Sequence, residues 1–394
     1  MNSFISISDV DIFKNKSPKA IALIILLSPV YILVFGEIFM RVFAGVALMP
    51  RYVTGSDDGI RMNIPNAVYG QTSREVDVEV RINSQGMRAD RDFTLQKPAD
   101  KCRIAVLGDS FFMGYEVNIE DSFSHLLEAN LATAGKDCEV LNFSVSGFGT
   151  AEYIIAMESR VKQFNPDLVI FELHQTDLRE NIIANLFTLE NGELVRTGNN
   201  YLPAIGVRDK LMQYAVYRWL IEHSQLYSVV REHAGKNVKK LLLAKNTVKN
   251  WFSKDTAATT QASAEPSNLP EELLSKLLDR GQQLSSAMDA GFLLVDIPNG
   301  FDPPNYYSVL DTEMRDYSLP ERFETVSPMP VFTAPENRDT LYYYQTGHLH
   351  LSIEGNHVVA DIAADAIVDR GLLDKQSTGT FTSARPVNAA AAEQ

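Results

Sequence analysis

From Ala20 to Gly36 the chain carries no charged residue, and with Glu37 included the apolar run reaches Met40. As a helix, these roughly 21 residues span about 31 Å, the thickness of a bilayer's hydrocarbon core. The run is apolar all round, so a soluble domain has no wet face to give it. It reads as a membrane span over residues 20–40. Lys14, Lys16 and Lys19 lie just before it, and the positive-inside bias places residues 1–19 in the cytoplasm. The remainder is then exported, held at the inner (cytoplasmic) membrane by one pass and facing the periplasm. Glu37 and Arg41 are one helical turn apart at the exit end, where they can pair, and Pro29 is a candidate kink. A cleavable signal peptide is the rival reading, since Ala44-Gly45-Val46-Ala47 offers small residues, but the run is longer than a usual signal-peptide core.

Composition then narrows the class of the exported body. Residues 1–51 hold five basic and three acidic side chains, which leaves 31 basic and 47 acidic in the rest of a chain whose net charge is −14. A protein that neutralises phosphates along a nucleic acid carries the opposite balance, so nucleic acid is excluded as a partner. Two cysteines cannot build a disulfide scaffold, and no Cys/His spacing suits a structural metal, so neither metal nor cofactor is expected.

Val76, Val78, Val80 and Ile82 alternate with Glu75, Asp77, Glu79 and Arg81, the period of a half-buried strand, and Asn83-Ser-Gln-Gly86 reads as a turn. Residues 52–100 are accordingly expected to be a β-containing extension. A core strand at 103–107 runs straight into Gly108-Asp109-Ser110, and a helix follows with Asp121 as its candidate cap. The grammar repeats: a strand at 139–143, a Gly-bearing loop, a helix capped by Thr150, and a strand at 168–173 after Pro166. Further on come a leucine-rich helix from Leu273, a strand at 292–297 and a last helix beyond Gly355. Such alternation implies an α/β fold, a three-layer doubly wound parallel sheet assembled from residues 101–204 and 271–372.

Between the halves, residues 205–270 read as a helical insertion with a flexible exit, and residues 373–394 as a disordered tail. The insertion carries Arg231, Lys236, Lys239, Lys240, Lys245 and Lys249 against Glu232, which suits either an anionic lipid or polymer or an ordinary solvated helix face. Cys102 and Cys138 begin two strands expected to be neighbours, so a bridge and two buried thiols are both open.

In an open parallel sheet ligands collect at the carboxyl ends of the strands. The loops there carry Gly108-Asp109-Ser110, the stretch 142–150, and His174-Gln175-Thr176-Asp177, and Gly347-His348-Leu349-His350-Leu351-Ser352 precedes the last helix. A serine exposed at a strand end, with its amide at the start of a turn, can attack a carbonyl and help hold the oxyanion, while a histidine from another loop acts as base. This ordered set resembles the SGNH, or GDSL, hydrolase family of esterases, lipases and carbohydrate O-acyl processing enzymes. Asn83-Ser-Gln-Gly-Met-Arg88 and Asn142-Phe-Ser-Val-Ser-Gly-Phe-Gly-Thr150, with the anchor, further resemble membrane-anchored bacterial members associated with surface-polysaccharide modification.

The resemblance implies Ser110 as nucleophile and His350 as base, because Gly355 falls five residues after His350 as in the family's His-x-Asn/Ser-x-x-Gly pattern. It implies an oxyanion hole of Ser110, Gly147 and Thr176, with Asp109 and Asp177 as supporting loop residues and His348 able to orient His350 or contact substrate. Two departures stand out. Thr176 replaces the family's Asn donor, offering one hydroxyl in place of an amide. Gly347 and His348 occupy the positions where the family's triad acid lies, so an acid has to come from elsewhere, with Asp311 and Asp339 as candidates and Glu172 as a lesser one. Two functions are therefore expected to compete. One is an anchored serine esterase or O-acyltransferase acting on acetyl or other acyl esters of a polysaccharide, or on a small acyl ester, with envelope-polysaccharide assembly proteins as candidate partners. The other is a catalytically inactive relative that binds polysaccharide in the same cleft. A nucleotide or flavin binder lacks the required glycine motifs.

Overall fold

The structure is a computed structural model that describes residues 17–254, 268–300, 305–337, 340–343 and 349–374. Most of the expected cytoplasmic start, of the flexible exit and of the tail lies outside the described residues, as do Asp339 and His348.

Helix α1 (Pro18–Phe39) is long and apolar enough to cross a membrane by length and composition, and it passes into a wide π turn at Met40–Ala44. Glu37 and Arg41 pair at 2.8 Å at its exit end. Two antiparallel pairs follow, β1 (Val53–Gly55) with β2 (Arg61–Asn63) and β3 (Val68–Thr72) with β4 (Asp77–Arg81). The alternation at residues 75–82 thus becomes one arm of a hairpin, with Val80 buried and Asp77, Glu79 and Arg81 wet.

The main domain contains β5 (Cys102–Leu107), α2 (Phe123–Thr133), β6 (Cys138–Asn142), α3 (Thr150–Ser159), β7 (Leu168–Leu173) and α4 (Thr176–Ala184). A surface hairpin, β8 (Phe187–Glu190) and β9 (Glu193–Arg196), leads into the helical stretch α5 (Ile205–Met212), α6 (Ala215–His223) and α7 (Gln225–Lys254). The chain returns through α8 (Leu269–Ala287), β10 (Gly291–Asp296), α9 (Leu319–Arg322), β11 (Glu324–Val326), α10 (Met329–Phe332) and α11 (Ile353–Asp369). The sheet order is β6-β5-β7-β10-β11, and every pair is parallel.

Side-chain alternation makes the three layers. On β5, Ala105 and Leu107 join the core beneath α3, α4 and α8, whereas Ile104 and Val106 join the core beneath α2 and α11. A third core belongs to the extension, where Tyr52, Tyr69, Val80 and Ile82 enclose Met113 and Tyr115 from the loop after β5. Cys102 and Cys138 face each other in register, 4.3 Å apart at Cα, and form a disulfide.

Two helix starts differ from expectation. Ser122, not Asp121, precedes α2, because residues 119–121 form a separate 3-10 turn. Gly149, not Thr150, precedes α3, because the Gly149 amide donates to Glu152 Oε2 at 2.9 Å and the Glu152 amide returns to the Gly149 carbonyl.

Candidate active site

Strand β5 ends on Leu107, and the chain then turns tightly, with the amides of Met113, Gly114 and Tyr115 donating to the carbonyls of Asp109, Phe111 and Ser110. Gly108 makes room for this turn. A Cβ there would sit 2.3 Å from Glu172 Oε2, the carboxyl that rises from β7 and accepts the amides of Asp109 (2.9 Å) and Phe112 (3.1 Å). Asp109 accepts the Phe111 amide at 2.9 Å. The neighbouring amides are thus held internally, whereas the Ser110 amide has no acceptor among the described residues. Burial, then the adjacent Asp109, pushes the Glu172 carboxyl well above the usual range.

His350 arrives from the segment before α11. Gly355 permits this, since a Cβ there would lie 2.2 Å from the Leu341 carbonyl oxygen, so the first turn of α11 packs directly on backbone. Ser352 caps that helix by accepting the Gly355 amide at 3.1 Å. The spacing from His350 to Gly355 therefore has a steric cause. His350 Nε2 lies 2.9 Å from Ser110 Oγ, and its ring lies between Phe111 and Tyr115, with centroids 5.5 and 5.1 Å away.

The acid facing His350 is Glu116. Its Oε2 lies 2.6 Å from His350 Nδ1, and both side chains are buried. Asp311 is exposed at the surface, and Glu172 holds the nucleophile loop from below, so neither carries that role; Asp339 lies outside the described residues. Glu116 reaches the ring because the turn after Ser110 brings the chain back on itself, ending with Glu116 at φ 64°. A non-glycine residue held there costs about 1–2 kcal/mol, and its neighbours hold it. The Glu116 amide donates to Gln71 Oε1 on β3 at 2.9 Å, and the buried Arg88 guanidinium donates to the Val117 carbonyl at 2.9 Å.

The loop after β6 is braced from the extension. Arg61 on β2 donates to the carbonyls of Gly147 (2.6 Å) and Ser146 (3.3 Å) and pairs with the fully buried Glu152 at 2.7 Å. The Gly147 amide, like that of Ser110, has no acceptor among the described residues. Thr176 opens α4, its hydroxyl 2.8 Å from His174 Nδ1 and its amide 3.4 Å from the same nitrogen. Burial pushes His174 down to about 4, so its ring is neutral near pH 7. Asp177 accepts the His174 amide at 3.0 Å, and burial pushes its carboxyl well above the usual range. Ser110, Glu116 and His350 thus meet in one hydrogen-bonded line, while Asp109 and Asp177 shape the loops around it.

No family model matches the chain. An arylesterase of Vibrio mimicus is 31% identical over 135 residues, which are 32% of this chain and 68% of that protein. Among solved structures, a lipolytic protein of the G-D-S-L family from Desulfitobacterium hafniense aligns with a TM-score of 0.36 and 12% identity, over 68% of this chain and 99% of that one. A two-domain esterase active on acetylated mannans aligns with a TM-score of 0.37 and 13% identity, over 74% of this chain and 53% of that one.

Proposed function

The chain belongs to the SGNH/GDSL hydrolases and is a serine ester hydrolase, and from that premise we propose a membrane-anchored enzyme whose Ser110, His350 and Glu116 handle acyl esters of a surface polysaccharide on the outer side of the cytoplasmic membrane. The observation that carries this reading is the continuous line Ser110 Oγ, His350 Nε2, His350 Nδ1, Glu116 Oε2, with separations of 2.9 and 2.6 Å. Ser110 Oγ attacks the acyl carbon as its proton passes to His350 Nε2, and Glu116 holds the Nδ1 proton and faces the imidazolium that forms. The oxyanion is received by the free amides of Ser110 and Gly147. Collapse expels the alcohol, which takes the proton from Nε2 and leaves an acyl-serine. Water or a sugar hydroxyl then gives its proton to Nε2 as it attacks the acyl carbon, and collapse breaks the bond to Ser110 Oγ, which takes that proton back, so hydrolysis and transfer share the first half-reaction.

Four observations support the location and the substrate. Helix α1 is apolar enough to cross a membrane, and the disulfide suits an oxidising compartment. Phe111, buried beside the nucleophile and edge-on to His350, favours a short acyl group such as acetyl. A cavity of about 630 Å³ lies on the side of the site marked by Gln175 and Thr176 and runs toward Glu271 and Glu313, a volume that suits a sugar unit. The complete relay argues against a catalytically inactive relative.

The test is fluorophosphonate labelling of the full chain in neutral detergent, read by mass spectrometry, beside acetate release from an acetylated polysaccharide. An adduct on Ser110, lost in Ser110→Ala and His350→Ala, is expected. An unlabelled Ser110 in folded protein refutes the catalytic assignment, and labelling without acetate release refutes the substrate.

A further inference from the structure

The insertion and α4 enclose a second cavity of about 720 Å³ whose wall is densely cationic. Arg51, Arg208, Arg231, Lys236, Lys239 and Lys240 line it, with Arg179 at the α4 side and Glu232 as the single lining acid. Glu180 on α4 is already shared by Lys239 (2.8 Å) and Arg179 (3.1 Å), and Arg231 pairs with Glu232 at 3.0 Å. Arg51 and Arg208, both half-buried, have no ion-pair partner among the described residues, and Arg51 Nε is buried without an acceptor. Burial also holds the Arg208 and Lys239 cations below their usual range. Confining that many cations in one hollow of an acidic protein is costly unless an anion enters to offset them. Guanidinium forks suit a phosphate, which they bind through paired charge-assisted hydrogen bonds.

The surroundings say where such a phosphate comes from. Helix α7 starts against the exit end of α1, where Glu37 accepts the amides of Gln225 and Leu226 and the Ser224 hydroxyl, and Arg41 donates to the His223 carbonyl. At about 1.5 Å per residue, Arg231 to Lys240 on α7 lie about 10–20 Å along the helix from that junction. Tyr214, Val216 and Trp219 on or beside α6, and Leu241 on α7, are exposed, apolar and aromatic side chains of the kind found at a bilayer's headgroup level. The cavity also has an apolar side, formed by Ile183, Leu211 and Leu243.

We infer that this cavity binds the phosphate group of a membrane lipid whose chains remain in the adjacent bilayer. The inference rests on the reading of α1 as a membrane span. Arg179 and Leu243 line both this cavity and the one that opens at Thr176, so the two cavities are neighbours.

The test uses the full chain in maltoside micelles, titrated with phosphatidylglycerol, phosphatidylcholine and inorganic pyrophosphate and read by native mass spectrometry and Trp fluorescence. Phosphatidylglycerol is expected to bind more tightly than phosphatidylcholine, and pyrophosphate to displace it. The double variant Arg51→Gln/Arg208→Gln is expected to lose at least tenfold in affinity, whereas Arg51→Lys/Arg208→Lys retains most of it and Arg81→Gln, on the exposed face of β4, matches the parent. Circular dichroism and gel filtration establish that each variant is folded. Equal phosphatidylglycerol affinity in the parent and the folded Gln variant overturns the proposal. Pyrophosphate binding without phosphatidylglycerol binding overturns the lipid source. Ser110 labelling in the same samples is a separate readout, so loss of lipid binding with labelled Ser110 refutes this site and leaves the hydrolase standing.

Discussion

Glu116→Gln isolates the one member of the relay that no sequence motif marked. The substitution keeps the side-chain volume and removes the charge 2.6 Å from His350 Nδ1. With charge centres about 4 Å apart, an imidazolium and a carboxylate attract by about 4 kcal/mol at an effective dielectric of about 20. That energy corresponds to roughly 10³ in rate. A glutamine can also present its NH₂ to Nδ1, which forces the proton onto Nε2 and removes the base from Ser110 Oγ; this wrong tautomer costs roughly 10⁴ in a well-studied serine protease. The variant is therefore expected to lose about 10³–10⁴ in kcat/KM on p-nitrophenyl acetate, with a parallel fall in the rate of fluorophosphonate labelling. Asp311→Asn, at an exposed residue, is expected to leave both rates unchanged. A folded Glu116→Gln that loses less than about tenfold, or an Asp311→Asn that loses as much, refutes the assignment of the acid.

Other perturbations test other links. Breaking the Cys102–Cys138 bridge, which spans 36 residues of chain, is expected to cost about 4 kcal/mol in the chain-entropy model, read as a lower melting temperature in reductant that Cys102→Ser/Cys138→Ser reproduces without it. Burial pushes Asp296 up to about 7, so between about pH 4 and that value the folded state keeps a proton that the unfolded chain releases, and stability falls as pH rises, by up to about 4 kcal/mol. Asp296→Asn is expected to narrow the difference in melting temperature between pH 5 and pH 8, and an unchanged difference refutes the role of this carboxyl. Gly355→Ala puts a methyl group 2.2 Å from the Leu341 carbonyl; displacement of α11 is expected to cost about 1–3 kcal/mol and to slow Ser110 labelling by moving His350, and wild-type melting and labelling refute the steric account.

The central strands were legible because a strand buried on both faces leaves an unbroken apolar run, as 103–107 and 168–173 do. The facing of Cys102 and Cys138 was legible for a related reason, since equal distances to two strand ends imply register. His350 was separable from His348 only through Gly355, whose role is a backbone contact. Glu116 was hidden because its link to His350 crosses 234 residues of sequence and depends on a left-handed residue that no local pattern announces. A signal was nevertheless present. Glu116 is the one carboxylate in the stretch Phe111-Phe-Met-Gly-Tyr-Glu-Val117, and a charge in so apolar a run is buried and needs a partner. The helix caps were misplaced for the opposite reason: Gly149 has no side chain to advertise its position, and the Glu152 that completes the cap is fixed by Arg61 from a distant strand.

Placing the acid after the nucleophile changes what the N-terminal extension is for. A carboxylate two or three residues before the histidine is held by the sheet domain, whereas Glu116 sits on a loop whose Met113 and Tyr115 are buried in the extension's own core. Gln71 holds its amide and Arg88 holds the next carbonyl, both from residues 52–100. Arg61, also in that region, braces the loop that supplies the Gly147 amide. Glu116 and the loop that carries the Gly147 amide are thus positioned from outside the parallel sheet, by the segment that follows α1. Because a loop holding a residue at positive φ relaxes once its supports are gone, the geometry at Ser110 depends on the packing of this extension as much as on the sheet that carries the serine.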